Sequence, residues 1–265
     1  MTDLLKASRA AEQAAYAAGT HLRASRSRLT QVVITHQEPA DVVAAIDKEA
    51  HALIREVVQR AFPEHGFVNR RNGLDARALL ADARPHWIVD PIDGMANYLR
   101  GYPQYAVSIA LVDAGEPVLG VIYDPVRDEF FGALRGHGAV LNGQAIRCAP
   151  PHTAIDALAA TVFPKPTSLR MQRYIGEFGR VLGGFGGVRR SGSMALELAY
   201  LAAGRIDAFW VHDMGAWDAA AGIVLLRESG ALVQARDGQP LLGSGSLLAC
   251  TPSLYEPFLS LLVET

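Results

Sequence analysis

The spacing of hydrophobic residues predicts two amphipathic helices near the start of the chain. Apolar residues recur at every third or fourth position across residues 3–27, which places them on one face of a helix. The same spacing continues through Ile46–Ala61 and predicts a second helix. Asp47 would then lie near the N-cap of that helix, where a carboxylate accepts hydrogen bonds from free backbone N–H groups. Between the helices, Thr30–Thr35 is predicted to form a short strand and residues 36–40 a loop.

The middle of the chain has the pattern of β-strands joined by short turns. Trp87–Val89 is a continuous apolar run that is typical of the end of a buried strand. Tyr105–Val112 and Pro117–Tyr123 are β-rich segments separated by an Asp-Ala-Gly-Glu turn, which predicts a hairpin. Phe130–Ala133 is predicted to be a further strand. Gly183–Gly187 is predicted to be a loop because it lacks the spacing of a nucleotide-binding glycine motif.

The last part of the chain alternates helices and strands. A helix is predicted at Met194–Ala203, where the next residue is a glycine suited to ending it, and a strand at Arg205–Val211. Another helix opens at Trp217, and two short strands and a final helix follow. This alternation, with hairpins in the middle, predicts a mixed α/β protein. We expect one domain over residues 1–265, with a subdomain seam near the prolines of residues 150–166.

Composition and charge argue against several classes of protein. The chain has 265 residues, half of them hydrophobic, so it can bury a sizeable core. Its net charge of −2 gives no surplus of positive charge for binding nucleic acid or an anionic membrane. Cys148 and Cys250 lie far apart and lack the spacing of metal ligands, as in reduced cytoplasmic proteins. No apolar run is long enough to cross a bilayer. We therefore expect a cytoplasmic protein with no nucleic-acid or membrane partner.

The segment most informative about chemistry is Asp90–Gly94, with the sequence D-P-I-D-G. Its proline and glycine disfavour a regular strand or a helix interior, so both carboxylates are predicted to lie in a tight turn. Two like charges so close together favour a divalent cation between them. Met95–Asn97 is predicted to open a helix whose free N–H groups bind an anion such as phosphate. Together these features are typical of metal-assisted phosphoryl transfer, although a plain surface turn explains the short motif equally well.

A longer stretch, His86–Leu111, resembles the signature of the inositol monophosphatase family. That signature is W-x-x-D-P-[IL]-D-G-T-x-N-[FY], followed by G-[FY]-P and an apolar strand. Asp41, Val43 and Asp47 resemble an earlier family motif, D-x-V-[TS]-x-x-D, and Trp217–Gly222 resembles a later one, W-D-x-A-A-G. The matching residues of the longer stretch are Trp87, Asp90, Pro91, Ile92, Asp93, Gly94, Asn97, Tyr98, Gly101, Tyr102 and Pro103.

The resemblance covers roughly residues 41 to 250 and carries expectations for the whole protein. It implies the layered α/β/α/β/α sandwich shared by inositol monophosphatases and fructose bisphosphatases. It implies a Mg²⁺-dependent hydrolase (a phosphatase) that cleaves a phosphate monoester of inositol or of a small sugar or polyol. It also implies a homodimer.

The resemblance assigns roles to individual residues. Asp90, Asp93 and Asp218, with the carbonyl of Ile92, would be the metal ligands. Asp47 would help to position the attacking water, so Asp47, Asp90 and Asp93 are the expected catalytic residues. Phosphate would bind to the backbone N–H groups of Gly94, Met95 and Ala96, and the expected substrate-binding residues are Gly192, Ser193, Met194 and Asp213.

Two departures from the family pattern argue against full activity. Arg70 stands where the family motif G-E-E-[ST] has a metal-ligating glutamate, and Met95 replaces a threonine that orients the water. The first change alters the local charge by two units, each worth about 4 kcal/mol at ~4 Å and an effective dielectric constant of about 20. We therefore expect fewer Mg²⁺ ions than the family's usual set.

Three interpretations remain open from the sequence. In the first, the chain is a working phosphatase that recruits another ligand from Glu64, Asp75 or Asp82. In the second, it binds a phosphorylated ligand without hydrolysing it, and Arg70 or Arg71 contacts the phosphate. In the third, it is a structural or regulatory partner with a vestigial pocket. The retained acidic cluster argues against the third interpretation, because buried carboxylates without a function are costly.

Overall fold

Two β-sheets and seven α-helices alternate in layers in the computed structural model, which describes residues 2–35, 38–69, 82, 84–149 and 153–263. The helices of these residues are α1 (Leu4–Thr35), α2 (Pro39–Ala61), α3 (Met95–Arg100), α4 (Met171–Gly184), α5 (Met194–Ala202), α6 (Ala216–Ser229) and α7 (Tyr255–Leu262). The strands are β1 (Gly66–Asn69), β2 (His86–Asp93), β3 (Ala106–Asp113), β4 (Glu116–Asp124), β5 (Glu129–Leu134), β6 (Ala139–Leu141), β7 (Gln144–Ile146), β8 (Leu158–Val162), β9 (Gly187–Arg189), β10 (Ala208–His212), β11 (Leu232–Ala235) and β12 (Ser246–Cys250).

The two sheets differ in strand direction. The first has seven strands in chain order, β1 to β7, and is antiparallel except for the β1–β2 pair. The second has the order β11-β12-β10-β8-β9, in which β10, β8 and β9 run parallel. Because parallel strands end at the same edge of a sheet, the segments that follow β8, β9 and β10 meet there.

Three hydrophobic clusters hold the layers together. The first lies between α1, α2 and the outer face of the seven-stranded sheet, and includes Leu22, Ile54 and Trp87. The second fills the space between the two sheets and contains most of α5 and α6. The third packs α4 and α7 against the other face of the five-stranded sheet, around Trp210 and Phe258. The order of layers is therefore α/β/α/β/α, which confirms the predicted fold class.

The start of the chain is more helical than its sequence predicts. Thr30–Thr35, predicted to be a strand, is the end of α1. Extending an existing helix adds one hydrogen bond for each residue fixed, so the weak strand preference of this segment is overridden. The second helix begins at Pro39, whose missing N–H is harmless at the first helical position. Asp47 therefore lies in the interior of α2, and its predicted place near the N-cap is wrong.

Two glycine- and proline-containing segments also differ from their predictions. Gly183–Gly187, predicted to be a loop, contains the end of α4 and the first residue of β9. Asp90 and Asp93, predicted to lie in a turn, both belong to β2. Pairing with β3 is irregular between these two aspartates, and this local break in the ladder accommodates Pro91.

Two further observations bear on the expectations for the whole chain. Among the described residues, every helix is too short or too polar to span a lipid bilayer. The strands of the first sheet end at Ile146 and those of the second begin at Leu158, so the connection between the sheets overlaps residues 150–166. The single domain with a seam in this region stays a prediction.

Candidate active site

Three carboxylates from two layers converge at one point. Asp90 and Asp93 come from the end of β2 and Asp218 from the first turn of α6, and one oxygen of each lies within 4.8 Å of the others. Asp90 and Asp93 are 2% and 6% exposed, and Asp218 is half-buried. Hard divalent cations prefer oxygen ligands, and a cation offsets the repulsion among buried like charges. The donor set therefore fits a metal ion such as Mg²⁺.

Hydrogen bonds from neighbouring backbone hold two of these carboxylates, Asp90 and Asp218. The N–H of Ile92 donates to Oδ1 of Asp90 at 3.3 Å. The N–H of Gly215 donates to Oδ2 of Asp218 at 2.8 Å, as in a capping box at the start of a helix.

Asp93 is held by a different helix, far away in sequence. Its Oδ2 accepts a hydrogen bond from the hydroxyl of Ser193 and another, of 2.9 Å, from the N–H of Ala195. Both donors lie at the start of α5, and the side chain of Ser193 is the N-cap of that helix. The second aspartate of the cluster is thus attached to the layer between the sheets.

The segment predicted to bind phosphate begins α3, as expected. Gly94 has φ of +86° and precedes the helix, and an added Cβ would lie 2.8 Å from the carbonyl oxygen of Gln104. Only glycine fits this combination of left-handed backbone and close approach. Ala96 is exposed, whereas Met95 is half-buried and packs against the cluster beneath α1 and α2. The phosphate-binding role of the three residues remains a prediction.

Asp47 lies in a helix that packs beside the acidic cluster of Asp90, Asp93 and Asp218, but its carboxylate is not one of those three. It is 6% exposed in α2, a helix that contacts both β2 and α3. Among the described residues, the carboxylates grouped closely enough to share a metal ion are those of Asp90, Asp93 and Asp218. The role of Asp47 in positioning water remains a prediction.

The predicted substrate-binding residues come from two loops at the edge where β9 and β10 end. Asp213 follows β10, is exposed and has φ of +61°, and its Oδ1 is 3.7 Å from Nη1 of Arg170. Gly192 has φ of +89° and lies close to the side-chain amide of Asn97. Ser193 and Met194 are buried at the start of α5, and Met194 belongs to the core between the sheets. Their contact with substrate remains a prediction.

Two residues at the site had no role predicted for their side chains. Asn97 donates from Nδ2 to the carbonyls of Gln104, at 2.7 Å, and Ser191, at 2.9 Å. Glu197, only 1% exposed, accepts a 2.8 Å hydrogen bond from the N–H of Ser191. Burial raises the pKa of the Glu197 carboxyl, although hydrogen bonds from Ser191 oppose this shift. The feature of the sequence that could have indicated Glu197 is its place as the single acidic residue in the otherwise apolar helix α5.

The structure describes only some of the residues that could replace the missing glutamate ligand or contact the phosphate. Arg70, Arg71 and Asp75 lie outside the described residues. Two of the alternative ligands, Glu64 and Asp82, belong to the described residues. Glu64 is exposed, and its Oε1 lies 3.5 Å from Nε2 of His65. Asp82 contacts Arg84 at 2.8 Å and His86 at 3.3 Å. Neither belongs to the acidic cluster, so among the described residues the cluster keeps three carboxylates.

A comparison with known protein families identifies this arrangement. The model of the inositol monophosphatase family matches residues 3–264. The chain belongs to the inositol monophosphatase family. This confirms the resemblance inferred from the motifs around Asp90 and Asp218, which form the acidic cluster. The family is generally Mg²⁺-dependent, and the cluster is an acidic group of the kind that binds such an ion.

Individual relatives support the same assignment. The inositol-1-monophosphatase of Rhizobium meliloti is 38% identical over 237 residues, covering 89% of this chain and 88% of that protein. The Nus factor SuhB of Xylella fastidiosa is 38% identical over 221 residues, covering 83% of this chain and 78% of that protein. The structure of inositol monophosphatase from Anabaena (Nostoc) superposes with a TM-score of 0.82 at 33% identity, covering 98% of this chain and 96% of that one.

Proposed function

We propose that this member of the inositol monophosphatase family is a Mg²⁺-dependent phosphatase that hydrolyses a phosphate monoester of inositol or of a small sugar or polyol. The observation that carries the proposal is the convergence of Asp90, Asp93 and Asp218 within 4.8 Å, next to the start of α3. Mg²⁺, when bound, polarises a phosphate and lowers the pKa of a coordinated water.

Each part of the site then has a defined task. Asp90, Asp93 and Asp218, with the carbonyl of Ile92, would hold the metal. The N–H groups of Gly94, Met95 and Ala96 would bind the phosphate. Asp47 would orient the attacking water, and the polyol would lie between the Gly192–Met194 segment and Asp213. These assignments rest on the match of this chain to the family motifs, residue by residue.

The proposal includes expectations about the protein's setting. We expect a cytoplasmic homodimer that binds no nucleic acid. Several relatives carry the name Nus factor SuhB, so the expected absence of nucleic-acid binding most needs a direct measurement. A purified protein that bound nucleic acid at physiological salt would overturn it.

A second candidate function is binding of a phosphorylated ligand without hydrolysis. The observation that favours it is the pair of departures from the family pattern, Arg70 and Met95. In this alternative Arg70 supplies the positive charge that a metal ion would otherwise provide. Inositol monophosphate should then bind in the presence of EDTA, and Arg70→Ala should weaken binding by about 2 kcal/mol. Arg84→Ala is the matched control, because Arg84 pairs with Asp82.

Release of inorganic phosphate tests the first candidate. The wild type should hydrolyse inositol monophosphate or a sugar phosphate only with Mg²⁺, and Asp90→Asn should abolish the activity. Glu116→Gln is the control, since this carboxylate is exposed and pairs with Arg227 at 3.0 Å. Binding of inositol monophosphate without its hydrolysis would favour the second candidate. A wild type that neither binds Mg²⁺ nor hydrolyses phosphate esters would overturn the phosphatase proposal.

A further inference from the structure

Two hydrogen-bond donors from the start of α5 meet on one oxygen of the Asp93 carboxylate. The hydroxyl of Ser193 and the N–H of Ala195 both donate to Oδ2. A carboxylate oxygen has two lone pairs in the carboxyl plane, so two donors saturate it. The start of α5 therefore holds the Asp93 carboxylate through Oδ2.

Ser193 can hold only one orientation in this arrangement. Its Oγ accepts a 3.3 Å hydrogen bond from the N–H of Leu196, which caps α5. A hydroxyl carries one proton, and the capping bond uses a lone pair, so the proton points to Asp93. The residue is fully buried, and water does not compete for this proton.

The segment before Ser193 is fixed from two sides. Asn97 of α3 donates to the carbonyl of Ser191, and Glu197 of α5 accepts from the N–H of the same residue. Gly192 follows in a left-handed conformation, where an added Cβ would lie 2.9 Å from Nδ2 of Asn97. The hydroxyl of Ser193 is therefore held in place before any ligand binds.

We propose that Ser193 is a positioning residue for the metal site, beyond the substrate contact that its motif implies. Its hydroxyl, together with the N–H of Ala195, fixes the rotation of the Asp93 carboxylate, which is one of the three carboxylates that would hold the metal. Groups that orient metal ligands in this way commonly change metal affinity about 10–100-fold when they are removed. The inference rests on the proposed Mg²⁺ site and gives a role in it to a residue outside the three carboxylates.

Calorimetric titration of Mg²⁺ into the folded protein, without substrate, tests the proposal. Ser193→Ala should weaken Mg²⁺ binding about 10-fold or more. Ser193→Thr keeps the hydroxyl and should restore binding to near the wild-type value. Ser229→Ala removes another buried hydroxyl, which donates to the carbonyl of Leu226 at 3.0 Å near the far end of α6. It should leave Mg²⁺ affinity unchanged.

Loss of the helix cap is separated from loss of positioning by a second measurement. Thermal unfolding in EDTA reports how far Ser193→Ala is destabilised, and titrations are then made well below its unfolding temperature. If folded Ser193→Ala binds Mg²⁺ as tightly as the wild type, or if Ser193→Thr fails to restore affinity, the positioning role is wrong. If the wild type itself binds no Mg²⁺, the proposed metal site fails instead.

Discussion

Glu177 of α4 and His212 at the end of β10 form a buried hydrogen bond, with 2.8 Å between Oε2 and Nε2. Arg236 donates to both oxygens of Glu177, at 3.1 and 2.8 Å, and to the carbonyl of Leu262 at 3.0 Å. The network joins α4, β10 and α7. Because Asp213 directly follows His212, this network also supports one side of the predicted substrate site.

The stability of this network should depend on pH. Burial alone would raise the pKa of Glu177, but hydrogen bonds from His212 and Arg236 outweigh burial and lower it to about 2. The charged form therefore contributes stability above the pKa of an unfolded glutamate, about 4.3, and loses it as the pH falls towards 2. The contribution is on the order of 3 kcal/mol.

Glu177→Gln should therefore be destabilised at pH 6, by about 3 kcal/mol, because it leaves a buried arginine without its carboxylate. Its free energy of unfolding should change less than that of the wild type between pH 5 and 3. Urea unfolding at several pH values measures both effects. Glu116→Gln, in an exposed pair with Arg227, is the control and should follow the wild type. Equal pH dependence in Glu177→Gln and the wild type would contradict the assignment.

A second prediction concerns the contact between β4 and α6. An added Cβ at Gly120 would lie 2.3 Å from the carbonyl oxygen of Ala221, which is backbone and cannot rotate away. Gly120→Ala should lower the free energy of unfolding by about 1–3 kcal/mol or more. Gly179→Ala, in α4 with open space around its Cβ, should instead be stabilising by up to about 1 kcal/mol. Chemical denaturation of both variants checks the pair, and an unchanged Gly120→Ala would contradict the close contact.

The two aspartates of β2 show what the sequence could predict about the site. Asp90 and Asp93 lie in one short motif whose charges, proline and glycine are chemically unusual together, so a metal site could be inferred locally. Asp218 could be added only through its family motif, because an aspartate in the first turn of a helix is commonplace. The structure brings all three together.

Other features could not be predicted because they depend on distant contacts. The hydrogen bond from Ser193 to Asp93 joins residues 100 positions apart, and no local pattern records it. Thr30–Thr35 has a weak preference for strand, which the continuation of α1 overrides. The interior position of Asp47 follows from the start of α2 at Pro39, where a proline that can end a helix instead begins one.

The number of bound metal ions is the third prediction. With Arg70 in place of a ligand glutamate, calorimetry at millimolar Mg²⁺ should detect at most one ion per chain without substrate. Asp90→Asn should abolish that binding, because the cluster loses a central carboxylate. Two ions bound to the wild type would show that Arg70 does not exclude the first metal.

The last prediction separates an enzyme with a weakened site from a binding protein. Arg70 removes an expected metal ligand, and Met95 removes the hydroxyl that the family uses to orient water. The described part of the site keeps Asp90, Asp93 and Asp218 together, and Met95 packs against the core rather than joining the cluster. Arg70→Glu combined with Met95→Thr should therefore create or sharply raise Mg²⁺-dependent hydrolysis of inositol monophosphate.

Neither change alone should suffice, because one restores a metal ligand and the other orients the water bound to that metal. The two effects should be non-additive, and each restored group should contribute about two decades in rate. Phosphate release by the wild type, both single variants and the double variant measures this coupling. If the wild type already turns over at about 1–10³ per second, the weakened-site hypothesis is wrong. The missing ligand must then come from elsewhere in the segment Asn69–Pro85, and the acidic residues of that segment should be replaced first.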